Sequence, residues 1–200
     1  MDKWTKNVAE CYDQNVETYK QRTRNDSLDM QVNRFLKYLS GTSVLSVGCG
    51  YGRDEKLLQT KGLDVSGIDI SEKMIASARE YAPLVNFYKM DMRHLDWFGE
   101  KFDGVFCSAS LLHLRRGDAW IALKEMHRVL KVKGALYLSV KKGKGKYSRR
   151  LGSSILQETL FEHEEILELL TDAGFSLLES FESANRRDYA KPWLNYFCMR

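Results

Sequence analysis

VLSVGCGYGRD, residues 44–54, runs from a short apolar stretch straight into three glycines at alternate positions, Gly48, Gly50 and Gly52. A turn needs one glycine. Three leave a length of main chain without Cβ atoms, which lets a ligand approach the backbone closely. An apolar strand that enters such a turn and leaves it as a helix puts backbone amides and a helix N-terminus at the carboxyl edge of a sheet, where open α/β folds bind their ligands. A nucleotide-containing ligand is the first expectation. The dinucleotide fingerprint G-x-G-x-x-G does not fit, because the third glycine comes one residue early and Arg53 stands where that pattern has glycine or alanine.

Downstream of the glycines the rhythm alternates. Short β-branched or aliphatic runs, SVLSV, LDVSGI, VNFYKM, FDGVFCSA and GALYLSV, are separated by helix-length patterns. Helices are expected over Arg53 to about Thr60, from an N-cap at Ser71, and from about Asp118 to Lys131 with Gly134 just past its end. This order predicts right-handed crossovers and a parallel sheet covered on both faces. The last quarter changes: after a helix from Glu162 to Ala173, closed by Gly174, the runs FSLLESFES and WLNYFCM are separated by ANRRDYAKP, too short for a helical crossover, so they should pair antiparallel. Upstream, Val8, Cys11, Tyr12, Val16 and Tyr19 form one amphipathic helical pattern, and Leu28, Val32, Phe35, Leu36 and Leu39 a second.

Two acids sharpen the ligand. Asp69 ends LDVSGID about 20 residues after the first glycine, the distance at which a carboxylate reaches the hydroxyls of a ribose. Asp91 closes the next strand, where it could accept from an adenine amino group while the main chain of Met92 reads the ring. Each alone could be a turn or cap residue. Together, at successive strand ends beside the glycine turn, they point to adenosine.

The 200 residues, 44% hydrophobic and 29% charged, fit one globular domain. The start of the chain has no signal-peptide pattern and no run of about 18 apolar residues occurs, so a cytoplasmic protein without a membrane segment is expected. Cys11, Cys49, Cys107 and Cys198 are scattered, without zinc-site spacing or disulfide density, and read as reduced, buried thiols. A net charge of +4 is mild, but KKGKGKYSRR, Lys141 to Arg150, gathers cations in what reads as a loop, either plain solvated surface or a place to meet an anionic substrate or RNA backbone. Trp97, Phe98 and Trp120 read as packing residues, and Trp193, Tyr196 and Phe197 as core of a terminal strand.

The V-L-x-V-G-C-G-x-G turn, the acid in GIDIS, the Asp91–Met92 pair, FDGVFCSASLLHL and ALKEMHRVLKVKGALYLSVKKG, in this order, resemble the class I S-adenosylmethionine-dependent methyltransferases. The resemblance covers Tyr12 to Arg200. It implies a Rossmann-like, doubly wound α/β fold with a mostly parallel seven-stranded sheet and an antiparallel last strand, residues 1–42 forming a helical lid and 43–200 the cofactor-binding core. It implies S-adenosylmethionine as cofactor, held by Gly48, Cys49, Gly50, Gly52, Asp69, Ile70, Met74, Asp91, Met92 and Ser108, with Tyr12, Tyr19 and Arg22 of the lid as candidate contacts. The sequence departs from the family twice. Ser46 stands where an Asp or Glu usually assists the cofactor's ammonium group, and Lys131–Gly134 replaces Lys-Pro-Gly-Gly.

Methyl transfer from a sulfonium needs alignment and exclusion of water more than a dedicated base. Ser108, Ser110 and His113 should line the methyl end of the cleft, with His113 either a base or a structural residue. A small-molecule acceptor, on a monomer or homodimer, is the leading expectation. An RNA-modifying methyltransferase and a non-catalytic adenosine-binding domain are the alternatives, and a nicotinamide oxidoreductase is disfavoured by the glycine spacing.

Overall fold

The computed structural model describes residues 1–184 and 191–200. Seven strands form one sheet: β1 (Ser43–Val47), β2 (Asp64–Asp69), β3 (Asn86–Lys89), β4 (Phe102–Ser108), β5 (Leu130–Lys141), β8 (Ser176–Ser183) and β9 (Trp193–Met199). Their order is β3-β2-β1-β4-β5-β9-β8. The first five run parallel, and β9 enters antiparallel between β5 and β8. The expected seven-stranded sheet with an antiparallel end is therefore present. Residues 185–190, the middle of the ANRRDYAKP connection, lie outside the described residues.

Both faces of the sheet are covered because its strands alternate between two apolar cores. Leu45, Val47, Val105, Cys107, Leu136 and Leu138 pack under α6 (Arg116–Val129) and α7 (His163–Ala173). Val44, Phe106, Ala135 and Tyr137 face the other way, onto α3 (Asp29–Leu36), α4 (Arg53–Thr60) and α5 (Glu72–Tyr81). A period of two with apolar residues on both faces is what a sheet buried on both sides requires. The α4 bounds agree with the sequence reading, and Ser71 caps α5 by accepting from the Met74 amide.

Four expectations are corrected. The first amphipathic pattern is two helices, α1 (Lys3–Gln14) and α2 (Val16–Thr23). Asn15 breaks them: its backbone leaves the helical region, and its buried amide donates to the Cys11 carbonyl and to Ser154 Oγ. Asparagine competes well for backbone partners, which is why it interrupts a pattern that apolar periodicity carries through. Gly134 does not cap α6, because the chain passes directly into β5, and Lys133 takes the left-handed turn with φ 63° where Lys-Pro-Gly-Gly is usual.

The Lys141–Arg150 segment is not a loop throughout. Lys146–Leu151 is β6, paired antiparallel with β7 (Ser154–Thr159) across a turn at Gly152. Its residues alternate between half-buried and exposed, a period-two signal that the density of lysine and arginine masks. With α1, the hairpin closes a third small core of Val8, Cys11, Leu151 and Leu156. Among the aromatics, Phe98, Tyr196 and Phe197 are buried as expected, whereas Trp97 and Trp120 are exposed.

Candidate functional site

At the carboxyl ends of β1, β2 and β4 a cavity of about 70 Å³, open to solvent, is lined by Gly48, Gly50, Asp69, Ile70, Asp91, Met92, Ser108 and His113, and by Tyr12 and Tyr19 of the N-terminal helices. The glycine turn and both acids thus share one crevice. Cys49, Gly52, Met74 and Arg22 do not line it. Cys49 and Met74 are buried in the protein, and Arg22 reaches the Arg150 carbonyl instead.

The glycines turn out to serve different purposes. All three have left-handed φ, 76° at Gly48, 54° at Gly50 and 87° at Gly52. A Cβ on Gly48 would lie 2.2 Å from Ser110 Cβ, and one on Gly52 would press on Ala78 and Phe87, so protein packing fills both places. At Gly50 the nearest group is the Tyr19 ring at 3.5 Å, and the main chain there borders the cavity. The ligand's approach falls to one glycine of the three.

Asp69 is fixed by the main chain. One carboxylate oxygen accepts from the Gly50 amide at 2.9 Å and the other from the Ser71 amide at 2.9 Å. Burial raises its pKa, and these amides oppose the rise. A carboxylate has about four acceptor sites, so capacity remains on both oxygens. Asp91 is engaged differently. Arg93 holds both of its oxygens, through Nε at 3.1 and 3.2 Å and through Nη2 at 2.7 Å. Burial acts to raise the pKa of Asp91, and the Arg93 bonds outweigh it, so the net shift is downward. An adenine amino group would compete with that ion pair for the side chain.

Arg93 escaped sequence reasoning. Besides Asp91 it donates to Asp2 at 2.9 Å, Asp118 at 3.1 Å and Thr5 Oγ1 at 2.8 Å, with its side chain 10% exposed. Asp2 also caps α1 by accepting from the Trp4 and Thr5 amides. One guanidinium therefore ties the first helix to the strand end that carries Asp91. No sequence periodicity marks such a hub. Ala109, the residue after β4, lines the cavity in a left-handed conformation with φ 53°, strain of a kind that gathers at functional sites.

The missing acid at Ser46 has a neighbour. Ser46 Oγ donates to Oε1 of Glu55, in the first turn of α4, and both residues are buried. Oε2 of Glu55 is buried without a partner. Burial first, then the adjacent Asp54, push the Glu55 carboxyl up to about 8, so it is largely protonated at neutral pH. A carboxyl group does occupy this corner, supplied by the helix instead of the strand, although neither residue lines the cavity.

The third wall is polar. His113 Nε2 lies 2.9 Å from Tyr12 Oη, and Arg149 Nη2 donates to the same Tyr12 oxygen at 3.1 Å. Arg149 Nε also bonds to Glu158, whose other oxygen accepts from Lys141 Nζ. Burial lowers the pKa of His113 to about 4, with Glu158 opposing and Arg149 and Lys141 assisting, so the ring is neutral. Arg149, Lys142 and Lys144, three of the cations offered to a polyanion by the sequence, face Glu158, Glu182 and Glu162 respectively.

Residues 44–134 match a family model described as "Methyltransferase domain". The putative methyltransferase YqeM of Bacillus subtilis is 36% identical over 103 residues, 48% of this chain and 41% of that protein. A ubiquinone biosynthesis O-methyltransferase of Coxiella burnetii is 31% identical over 105 residues, 50% of this chain and 44% of that one. The chain thus spans less than half the length of these relatives. Among solved structures, magnesium protoporphyrin IX methyltransferase from Synechocystis PCC 6803 with bound SAH aligns over 98% of this chain and 99% of its own, with a TM-score of 0.77 and 20% identity. A SAM-dependent methyltransferase from Methanosarcina mazei aligns over 84% and 96%, with a TM-score of 0.74 and 23% identity. These two likenesses establish a shared fold.

Proposed function

We propose that this chain, which belongs to the class I S-adenosylmethionine-dependent methyltransferases, binds S-adenosylmethionine at the carboxyl edge of its sheet and transfers the methyl group to a small-molecule acceptor. The observation that carries this reading is the junction of Asp69 with the glycine turn. A carboxylate oriented by the Gly50 and Ser71 amides, with acceptor capacity left on both oxygens, stands in a cavity bordered by a glycine main chain. That arrangement fits a ribose beside an extended aminoacyl chain.

Bound there, the cofactor supplies a methyl group on a sulfonium, an electrophile with a good leaving group. The chain's own task is to hold, align and exclude water. Gly50 offers main chain to the aminoacyl end, Asp69 accepts from the ribose hydroxyls, and Ile70 and Met92 flank the base with Asp91. Ser108 stands at the methyl end. Residues 1–42 act as the lid, with Tyr12 and Tyr19 forming its inner surface and Arg93 its anchor.

A small acceptor suits a cavity roofed by α1 and α2. The RNA alternative rested on the cations of Lys141–Arg150, and within that segment Lys142, Lys144 and Arg149 each face a carboxylate of their own chain. No helix among the described residues is long and apolar enough to cross a membrane. Four free, buried cysteines suit a reducing compartment, and we place the protein in the cytoplasm. Incubation with methyl-labelled S-adenosylmethionine and a cell extract divided into metabolite and RNA fractions tests the acceptor class. Label should enter the metabolite fraction, and label confined to RNA would overturn the assignment.

A further inference from the structure

An aspartate stands at each end of α1, and each reaches one of the two acids of the crevice through a single intermediary. Asp2 and Asp13 are eleven residues apart, about three full turns and about 16 Å, so the two positions fall on the same side of the helix. Between them, Thr5, Val8 and Tyr12 line the cavity. At the amino end, Asp2 accepts from Arg93 Nη1 at 2.9 Å, while Nη2 of the same guanidinium donates to Asp91 at 2.7 Å. At the carboxyl end, Asp13 Oδ1 accepts from Ser71 Oγ at 2.5 Å, and the Ser71 amide donates to Asp69 at 2.9 Å.

Ser71 is fully buried, and its polar groups are all committed. Its Oγ accepts from the Met74 amide at 3.1 Å, so the one hydroxyl proton belongs to Asp13. The same Asp13 oxygen accepts from the Lys73 amide at 3.0 Å. Asp13 thereby satisfies a free amide in the first turn of α5, where the helix dipole favours a negative charge. Burial raises the pKa of Asp69, and the charge of Asp13 adds to that rise, which makes Asp69 the better acceptor for hydroxyl donors. With α1 lifted away, water would stand in for Asp13 at Ser71 and for Asp2 at Arg93. Water reorients freely, and the two acids would lose part of their preorganisation.

Resting on the cofactor site assigned above, we propose that α1 is a clasp for the nucleoside half of the cofactor: Asp13, through Ser71, and Asp2, through Arg93, are positioning residues that hold Asp69 for the ribose and Asp91 for the base. Docking of α1 and binding of the nucleoside are then one coupled equilibrium. Such coupling is reciprocal, so whatever α1 adds to the affinity, the ligand returns to the docking of α1. Neither aspartate lines the cavity, and the effect is carried by the acids they hold.

Hydrogen exchange on the full chain, paired with calorimetry, tests the clasp. Saturating S-adenosylhomocysteine should slow amide exchange across residues 3–14 of the wild type. So should 5′-methylthioadenosine, which keeps the nucleoside and lacks the aminoacyl chain. Asp13→Ala should bind both ligands about tenfold more weakly and lose most of the protection of α1. Asp13→Asn keeps a carbonyl oxygen for the Ser71 and Lys73 donors and should recover most of the affinity. A contact that only stabilised the fold would lower the melting temperature of Asp13→Ala and leave its Kd values unchanged. Binding without protection of α1, wild-type affinity in Asp13→Ala, a loss confined to S-adenosylhomocysteine, or no recovery in Asp13→Asn overturns the clasp and leaves the cofactor site standing. Failure of the wild type to bind either ligand would sink both.

Discussion

Replacing Arg93 with methionine should unlatch the first helix and cost stability. The guanidinium is 10% exposed and shared by Asp91, Asp2 and Asp118, whose side chains are 16%, 34% and 27% exposed. Breaking a buried ion pair from one side costs about 3–5 kcal/mol, because the remaining charge is left uncompensated. Asp91 is the most buried of the three, and the others keep enough solvent to discount their share, so about 3 kcal/mol is expected. With a urea dependence of about 2 kcal/mol per molar, the unfolding midpoint should fall by about 1.5 M. The acid limb carries its own test. The folded pKa of Asp91 is depressed, so its contribution is present above the unfolded pKa and lost as pH falls through the folded value. Arg93→Met should therefore lose less stability than the wild type on acidification. The double variant Arg93→Met/Asp91→Asn should recover part of the loss. A midpoint shift below about 0.3 M, with no gain in protease cleavage within residues 1–14, would refute the latch.

Gly48→Ala should fail to fold stably or lose cofactor binding altogether, since its Cβ would sit 2.2 Å from Ser110 Cβ at a φ of 76°, and circular dichroism with thermal melts will tell which. Glu55→Gln should stabilise the protein at pH 8 and not at pH 4. The folded pKa of Glu55 is raised to about 8, so the wild type is most favoured below the unfolded value and loses about 1.4 kcal/mol per pH unit between the two; equal melting profiles of the two proteins across pH 4 to 8 would count against it.

The sheet was legible in the sequence because its strands are short apolar runs bounded by turn residues, and the helices over 53–60 and from Ser71 followed from periodicity and a cap. The β6–β7 hairpin was not, because its inward residues include Arg149 and Glu158, which pair with each other across the strands instead of presenting an apolar face. Asp69 was legible through its distance from the glycines. The commitment of Asp91 to Arg93, and of Ser46 to Glu55, was not, since each contact depends on side-chain direction and burial that spacing does not encode. The three glycines looked alike in sequence, and neighbouring side chains gave two of them another purpose.

Isothermal calorimetry of S-adenosylmethionine against the wild type and Asp69→Ala, with circular dichroism as the check on folding, tests the central claim most directly. The account predicts one bound molecule per chain for the wild type and at least a hundredfold weaker binding for the folded variant. Equal affinity in the two proteins would show that the ribose does not sit on Asp69 and would contradict the account.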